Sequence, residues 1–300
     1  MAKLIIPKLD MHVSDACNLH CEQCDHFSDL NFQSIFTPQT LREWCEPWKD
    51  RIIPQSFHIL GGEPLMNNDI EEIVYLMREM WPESDIVLWT NGLLAKKFPN
   101  LPKVLKETST RIQVSNHSTI GVNSEAYDRK FNDCVEVFKE WYEKYEVPTT
   151  IQFNNGQHVS FGKQGDKYVI YGQQTGTGPG GTLWEKVYHG YGREMKPYSD
   201  GDPQKSWEIC TAKCPQLYDG RIHKCGRLTF LPLVKEKIGL SEEWDHYLTY
   251  KGLTPECSDE DLEIFFNLQA ESYCGMCPAE KTSFLSKHNP FKIYNLKLIT

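Results

Sequence analysis

The chain of 300 residues carries a net charge of −9 and a pI near 5.6, so it offers no basic footprint for a phosphate backbone, and nucleic acid is an unfavoured partner. A hydrophobic fraction of 40% supports a buried core, yet no run approaches the roughly 18 apolar residues of a membrane span, and the apolar run at the start is too short for an export signal. A soluble, cytoplasmic protein without a membrane partner is the expectation, and in a reducing cytosol its eleven cysteines argue for metal or catalysis rather than disulfides.

In chain order, Lys8–Ser14 reads as a strand and Gln39–Asp50 as a helix, capped by Thr37 with Pro38 in its first turn. Ser56–Leu60 is the second strand, followed by a turn at Gly61–Gly62. Asp69–Met80 sets Ile70, Ile73, Val74, Met77 and Met80 on one helical face. Asp85–Thr90 is the third strand, Lys103–Glu107 a short helix, Arg111–Ser115 the fourth strand, Ser124–Tyr145 a long helix and Thr149–Phe153 the fifth strand. This alternation predicts an α/β fold with a parallel sheet, a partial (β/α) TIM-type barrel of about five or six units rather than a closed one. The expected domains are a core over 1–153, a Gly/Tyr-rich insert or substrate loop over 154–206, and a small cysteine-rich domain over 207–300. Within the insert, Val159–Tyr171 reads as a hairpin turning near Gly165–Asp166, and Thr175–Gly181 as a flexible run.

Cys17, Cys21 and Cys24 follow the first strand as Cys-Asn-Leu-His-Cys-Glu-Gln-Cys. Three thiolates so close can wrap one face of a cubane cluster and leave its fourth iron open for chemistry. A structural zinc site wants four ligands, and His20 or His26 could supply the last, so this segment alone also admits zinc. Its polar surroundings (Asp15, Asn18, Glu22, Asp25) speak against three core thiols.

Gly61-Gly62-Glu63-Pro64 after the second strand and Thr90-Asn91-Gly92 after the third extend the pattern. Together, CxxxCxxC, a GGEP turn and a TNG turn in this order resemble the radical S-adenosylmethionine (radical SAM) superfamily. The resemblance implies a [4Fe–4S] cluster on Cys17, Cys21 and Cys24, with S-adenosylmethionine chelating the open iron. It also implies cofactor contacts from Gly61, Gly62, Glu63, Asn91, Ser115 and Asn116. The chemistry agrees, because glycine permits close backbone approach and a carboxylate suits an ammonium group. One position departs from the family: the residue before the third cysteine, commonly aromatic, is Gln23.

Farther on, Cys214 and Cys225 end a predicted hairpin turning at Asp219–Gly220, and Cys274 and Cys277 form a compact two-ligand knuckle. Four such thiolates suit tetrahedral zinc or a second [4Fe–4S] cluster. The pattern resembles the Twitch element, the shortened SPASM domain, which implies an auxiliary [4Fe–4S] cluster. Cys210 rivals Cys214 as a ligand. Cys45 and Cys134 read as buried helical thiols, and Cys257 in a polar loop is a candidate hydrogen-atom donor.

The resemblance implies an oxidoreductase-type enzyme. It would cleave S-adenosylmethionine reductively to a 5′-deoxyadenosyl radical and abstract a substrate hydrogen, for oxidation or crosslinking of a small molecule, sugar or peptide. Flavodoxin or ferredoxin would donate the electron. A first strand starting near residue 8 tilts the expectation toward a small molecule or carbohydrate. A radical epimerase with a cysteine donor and a zinc-stapled binding module are the alternatives.

Overall fold

The computed structural model describes residues 3–117, 124–153, 158–161, 163–164, 167–168, 183–199, 201–211, 213–267, 269–281 and 283–285. β1 (Leu4–His12) leads through α1 (Pro38–Cys45) to β2 (Ile52–Leu60), and α2 (Ile70–Met80) leads to β3 (Asp85–Thr90). α3 (Leu101–Glu107) precedes β4 (Arg111–Asn116), and α4 (Ser124–Tyr145) precedes β5 (Thr149–Phe153). Thr37 caps α1 by accepting the Thr40 amide. The helix ends at Cys45 rather than Asp50, because Pro47 has no amide to continue the ladder.

β1 through β5 pair in parallel and in chain order. Sequential order with helical crossovers lays α1 to α4 side by side on one face of the sheet. That face is apolar: Leu9, Met11, Phe57, Ile59, Ile86, Leu88, Ile112, Val114 and Ile151 join one core with the helices. The alternate residues are polar. Lys8, Asp10, His58, Trp89 and Gln152 look away from the helices into a cavity. Parallel strands are normally apolar on both faces, so this alternation marks the second face as a working surface.

β6 (His158–Phe161) pairs antiparallel with β5 at the sheet edge. β7 (Lys163–Gln164) and β8 (Lys167–Tyr168) pair antiparallel across residues 165 and 166. The hairpin read over Val159–Tyr171 is thus two pairings, since His158–Phe161 has an open β5 edge to satisfy. Gly165–Asp166 and the run Thr175–Gly181 lie outside the described residues. β9 (Leu183–Glu185) pairs with β12 (Ser283–Leu285).

The last third holds α5 (Pro203–Ile209), β10 (Gln216–Tyr218), β11 (Arg221–His223), α6 (Gly226–Ile238), α7 (Asp245–Leu248) and α8 (Asp259–Phe266). β10 and β11 form the hairpin read between Cys214 and Cys225. Asp219 (φ 49°) and Gly220 (φ 70°) are both left-handed, as a two-residue hairpin turn requires. The hairpin also extends the core sheet, because β10 pairs in parallel with β1 through Asp10 and Gln216. Six parallel strands with antiparallel β11 and β6 at the edges make an open, partial barrel. α6 packs Phe230, Leu231 and Val234 with Phe27, Leu30, Tyr188 and Trp244 in a second core.

Candidate functional site

The cysteine loop leaves the C-terminal end of β1 and is shaped by left-handed residues that are not glycine: Gln23 (φ 61°), Phe27 (φ 55°) and Asn31 (φ 61°). Such conformations persist when packing fixes them. Buried Phe27 and Leu30 anchor the loop, and the His20 ring meets the Asp29 carbonyl at 3.2 Å. Cys17, Cys21 and Cys24 line one cavity of about 310 Å³ with Gly61, Gly62, Glu63, Asn91 and Ser115. Burial raises all three thiols, Cys24 to about 12, and their mutual proximity raises Cys17 and Cys21 further. Thiols held together out of water are costly to ionise until a cation binds them, so the donor set fits a thiolate-ligated cluster.

Both glycines of the GGE turn are needed for close approach. A Cβ on Gly61 would lie 2.3 Å from the Ser14 carbonyl oxygen, and one on Gly62 would lie 2.6 Å from those of Asp15 and Ala16. The Gly62 and Glu63 amides donate to Ser14 and Ala16 at 2.8 Å. Glycine here lets the turn after β2 clasp the root of the cysteine loop. Glu63 is fully buried. It accepts from the Leu65 amide at 2.9 Å, the Thr90 hydroxyl at 2.5 Å and the Asn91 amide at 2.7 Å. Asn91 in turn donates to Asn18 at 2.7 Å. Glu63 and Asn91 together thus tie three strand ends into a single rim. Burial lifts the Glu63 carboxyl to about 7 against these bonds.

Sequence reasoning missed His117, which lines the same cavity and is held neutral, near 4, by burial. Of the expected cofactor residues, Asn116 is buried and does not line it. Gln23, the departure from the family, has a visible task. Its side-chain oxygen accepts the Val187 and Tyr188 amides at 2.8 and 3.1 Å and so holds Val187 as a wall of the cavity.

A second cavity of about 400 Å³ adjoins the first. The two share Asp25, His26, Leu60, Trp89, Thr211 and Arg227. Cys210, Cys214, Cys225, Cys274 and Cys277 all line the second one. Burial pushes Cys225 up to about 12, and the neighbouring Cys277 and Cys210 raise it further. Cys214 instead interacts with Lys8 and Asp10 on β1. In the same cavity, Asp10, His58 and Gln216 occupy registered positions on adjacent strands. The His58 ring nitrogen stands 2.9 Å from Asp10, and Gln216 donates to Asp10 at 3.2 Å. Among the described residues no three Cys, His, Asp or Glu side chains converge as ligands of a single ion.

Cys257 is not brought to the site. Its sulfur accepts from Arg51 at 3.4 Å, just before β2. The nine residues of β2, about 30 Å of strand, separate that end of the sheet from the cysteine loops. Cys45 contacts Met11 and Cys134 bonds the Lys130 carbonyl, both buried as structural thiols.

A family model described as a 4Fe-4S single cluster domain matches residues 9–119, the stretch that holds the cysteine triad, the GGE turn and the Thr90-Asn91-Gly92 turn at successive strand ends. Over this stretch the chain is similar to [4Fe–4S] cluster domains. The cysteine triad of its first site accordingly suits a [4Fe–4S] cluster. A GTP 3′,8-cyclase of Aquifex aeolicus is 30% identical over 155 residues, covering 49% of this chain and 46% of that relative. One of Staphylococcus saprophyticus is 30% identical over 99 residues, 31% of this chain and 29% of that one. The chain thus spans less than half the length of these relatives. The crystal structure of BtrN in complex with AdoMet and 2-DOIA aligns at 20% identity and a TM-score of 0.31, covering 42% of this chain and 52% of that one. Streptococcus suis SuiB bound to precursor peptide SuiA aligns at 18% and 0.38, covering 50% and 33%.

Proposed function

We propose that the chain is a radical SAM enzyme that oxidises or crosslinks a small molecule, sugar or peptide held between two cysteine sites. The observation that carries this is the pair of adjoining cavities, one lined by Cys17, Cys21 and Cys24, the other by five further cysteines and a polar sheet face. When bound, the first cluster supplies the electron that splits S-adenosylmethionine into methionine and a 5′-deoxyadenosyl radical. The chain's own groups bind and orient. Cys17, Cys21 and Cys24 anchor the cluster. Glu63 spends one lone pair of its Oε2 on Asn91 and has capacity left for the ammonium of the cofactor's methionine moiety. Gly61, Gly62, Asn91 and Ser115 shape the surrounding wall.

The second cavity takes the substrate, with Asp10, His58, Trp89 and Gln152 as a hydrogen-bonding floor. Cys225, Cys274 and Cys277, completed by Cys214 or Cys210, hold an auxiliary [4Fe–4S] cluster on its far wall. A cluster that can take up an electron beside a substrate favours net oxidation or crosslinking over epimerisation, and the remote position of Cys257 removes one hydrogen donor from the epimerase reading. Flavodoxin or ferredoxin is the proposed electron source.

The test is iron and sulfide quantitation, with visible absorption, on protein purified without oxygen. Wild type should be brown with about eight irons per chain, and a Cys17/Cys21/Cys24→Ala triple variant should keep about half. A colourless wild-type protein carrying zinc would overturn the reading.

A further inference from the structure

Between the two cysteine sites lies one guanidinium. Arg227, in the first turn of α6, donates from Nε and Nη2 to Asp25 at 3.0 and 2.6 Å, and from Nη1 to the Cys277 sulfur at 2.8 Å. Its side chain is 12% exposed, and it lines both cavities. Asp25 directly follows Cys24, so the same planar fork touches the loop of the first site and a sulfur of the second. Asp25 is held below the usual carboxylate range by this partner's charge and hydrogen bonds. The approach depends on Gly226. A Cβ there would lie 2.6 Å from the His26 ring, so only glycine lets α6 begin this close to the cysteine loop.

We propose that Arg227 is a positioning residue that sets the reduction potential of the auxiliary cluster and fixes its place relative to the first. The inference rests on the auxiliary-cluster reading above. A hydrogen bond and a positive charge at a ligating sulfur stabilise the more negative, reduced form, and so raise the potential. A fork that bonds two partners at once also fixes the spacing between them, which lysine cannot do. An arginine kept here only for folding would need a carboxylate; it would not need a thiol.

The test uses the reconstituted protein in the Cys17/Cys21/Cys24→Ala background, where only the auxiliary cluster remains, and reads its midpoint by redox titration followed by electron paramagnetic resonance. Arg227→Gln should retain about four irons and shift the midpoint to lower potential. Arg227→Lys, which keeps the charge and loses the fork, should shift it less. Asp25→Asn, which frees the guanidinium charge from its carboxylate, should shift it the opposite way. A midpoint unchanged in Arg227→Gln with iron retained overturns the role of Arg227 and leaves the auxiliary cluster standing. Absence of iron from the background protein itself overturns the auxiliary cluster instead. If Arg227→Gln fails to hold the cluster, Arg227→Lys decides: an unchanged midpoint there overturns the inference.

Discussion

Glu63 is central to the proposed cofactor site, and its burial gives it a pH signature. Its carboxyl stands near 7 against an ordinary 4.5. The folded chain therefore binds this proton more tightly than the unfolded one, and the contribution to stability falls as pH rises from about 4.5 through about 7. An ammonium placed against the carboxyl reverses the preference. Binding of S-adenosylmethionine should thus release a proton near neutral pH and tighten between about pH 6 and 8. Calorimetry in buffers of different ionisation enthalpy should show that proton for wild type and none for Glu63→Gln. The same variant should lose about 1.5–3 kcal/mol of binding, tenfold or more, with iron content unchanged. Glutamine is the useful replacement, because its one oxygen can still accept from Leu65 and Thr90, whereas alanine would orphan the Leu65, Thr90 and Asn91 donors together. At the cluster itself, Cys24→Ala should abolish 5′-deoxyadenosine formation under dithionite, since two thiolates are too few anchors. Its appearance at the wild-type rate would remove Cys24 from the ligand set.

Among the elements, the turn after β2 and the cysteine loop behave as one unit. Gly62→Ala forces a Cβ against two carbonyl oxygens, both backbone and neither able to swing away. The variant should melt at lower temperature and load less iron at the first site; normal melting and loading would show that the two loops part without cost. Gln23→Leu keeps the volume but leaves the Val187 and Tyr188 amides without their acceptor. It should weaken S-adenosylmethionine binding severalfold, about 1 kcal/mol for the lost acceptor, while both cysteine sites keep their iron; affinity equal to wild type would deny Val187 its place in the wall. These dependencies mark the limit of what the sequence alone reveals. That residues 61 and 62 must be glycine is legible from the turn, but the backbone that presses on them is forty-five residues or more upstream. That Gln23 is not aromatic is equally legible, whereas its partners lie beyond an irregular insert with no periodicity to follow. Helix and strand limits were readable where caps and alternation set them, as at Thr37 and Asp85–Thr90, and drifted where Pro47 ended α1 early.

For the whole molecule, the most consequential feature is the parallel pairing of β10 with β1, which joins the cysteine-rich third of the chain to the core sheet. The Asp219–Gly220 turn announces a hairpin locally, but nothing local says which distant edge the hairpin will cover. The pairing brings Cys225, just past β11, into the cavity that Asp10 and His58 line, and so bears on the order of events in the proposed reaction. Loss of the second site should leave the first able to cleave S-adenosylmethionine, because none of Cys17, Cys21, Cys24 and Glu63 depends on Cys225 for a hydrogen bond. Cys225→Ala should therefore form 5′-deoxyadenosine with dithionite while failing to complete product. The iron count should fall by about four per chain. In a single-turnover assay with substrate carrying deuterium at the abstracted position, the label should still reach 5′-deoxyadenosine, which places the defect after abstraction. Loss of 5′-deoxyadenosine together with product would mean that the two cysteine sites form one structural unit, and that the second serves the first rather than the substrate.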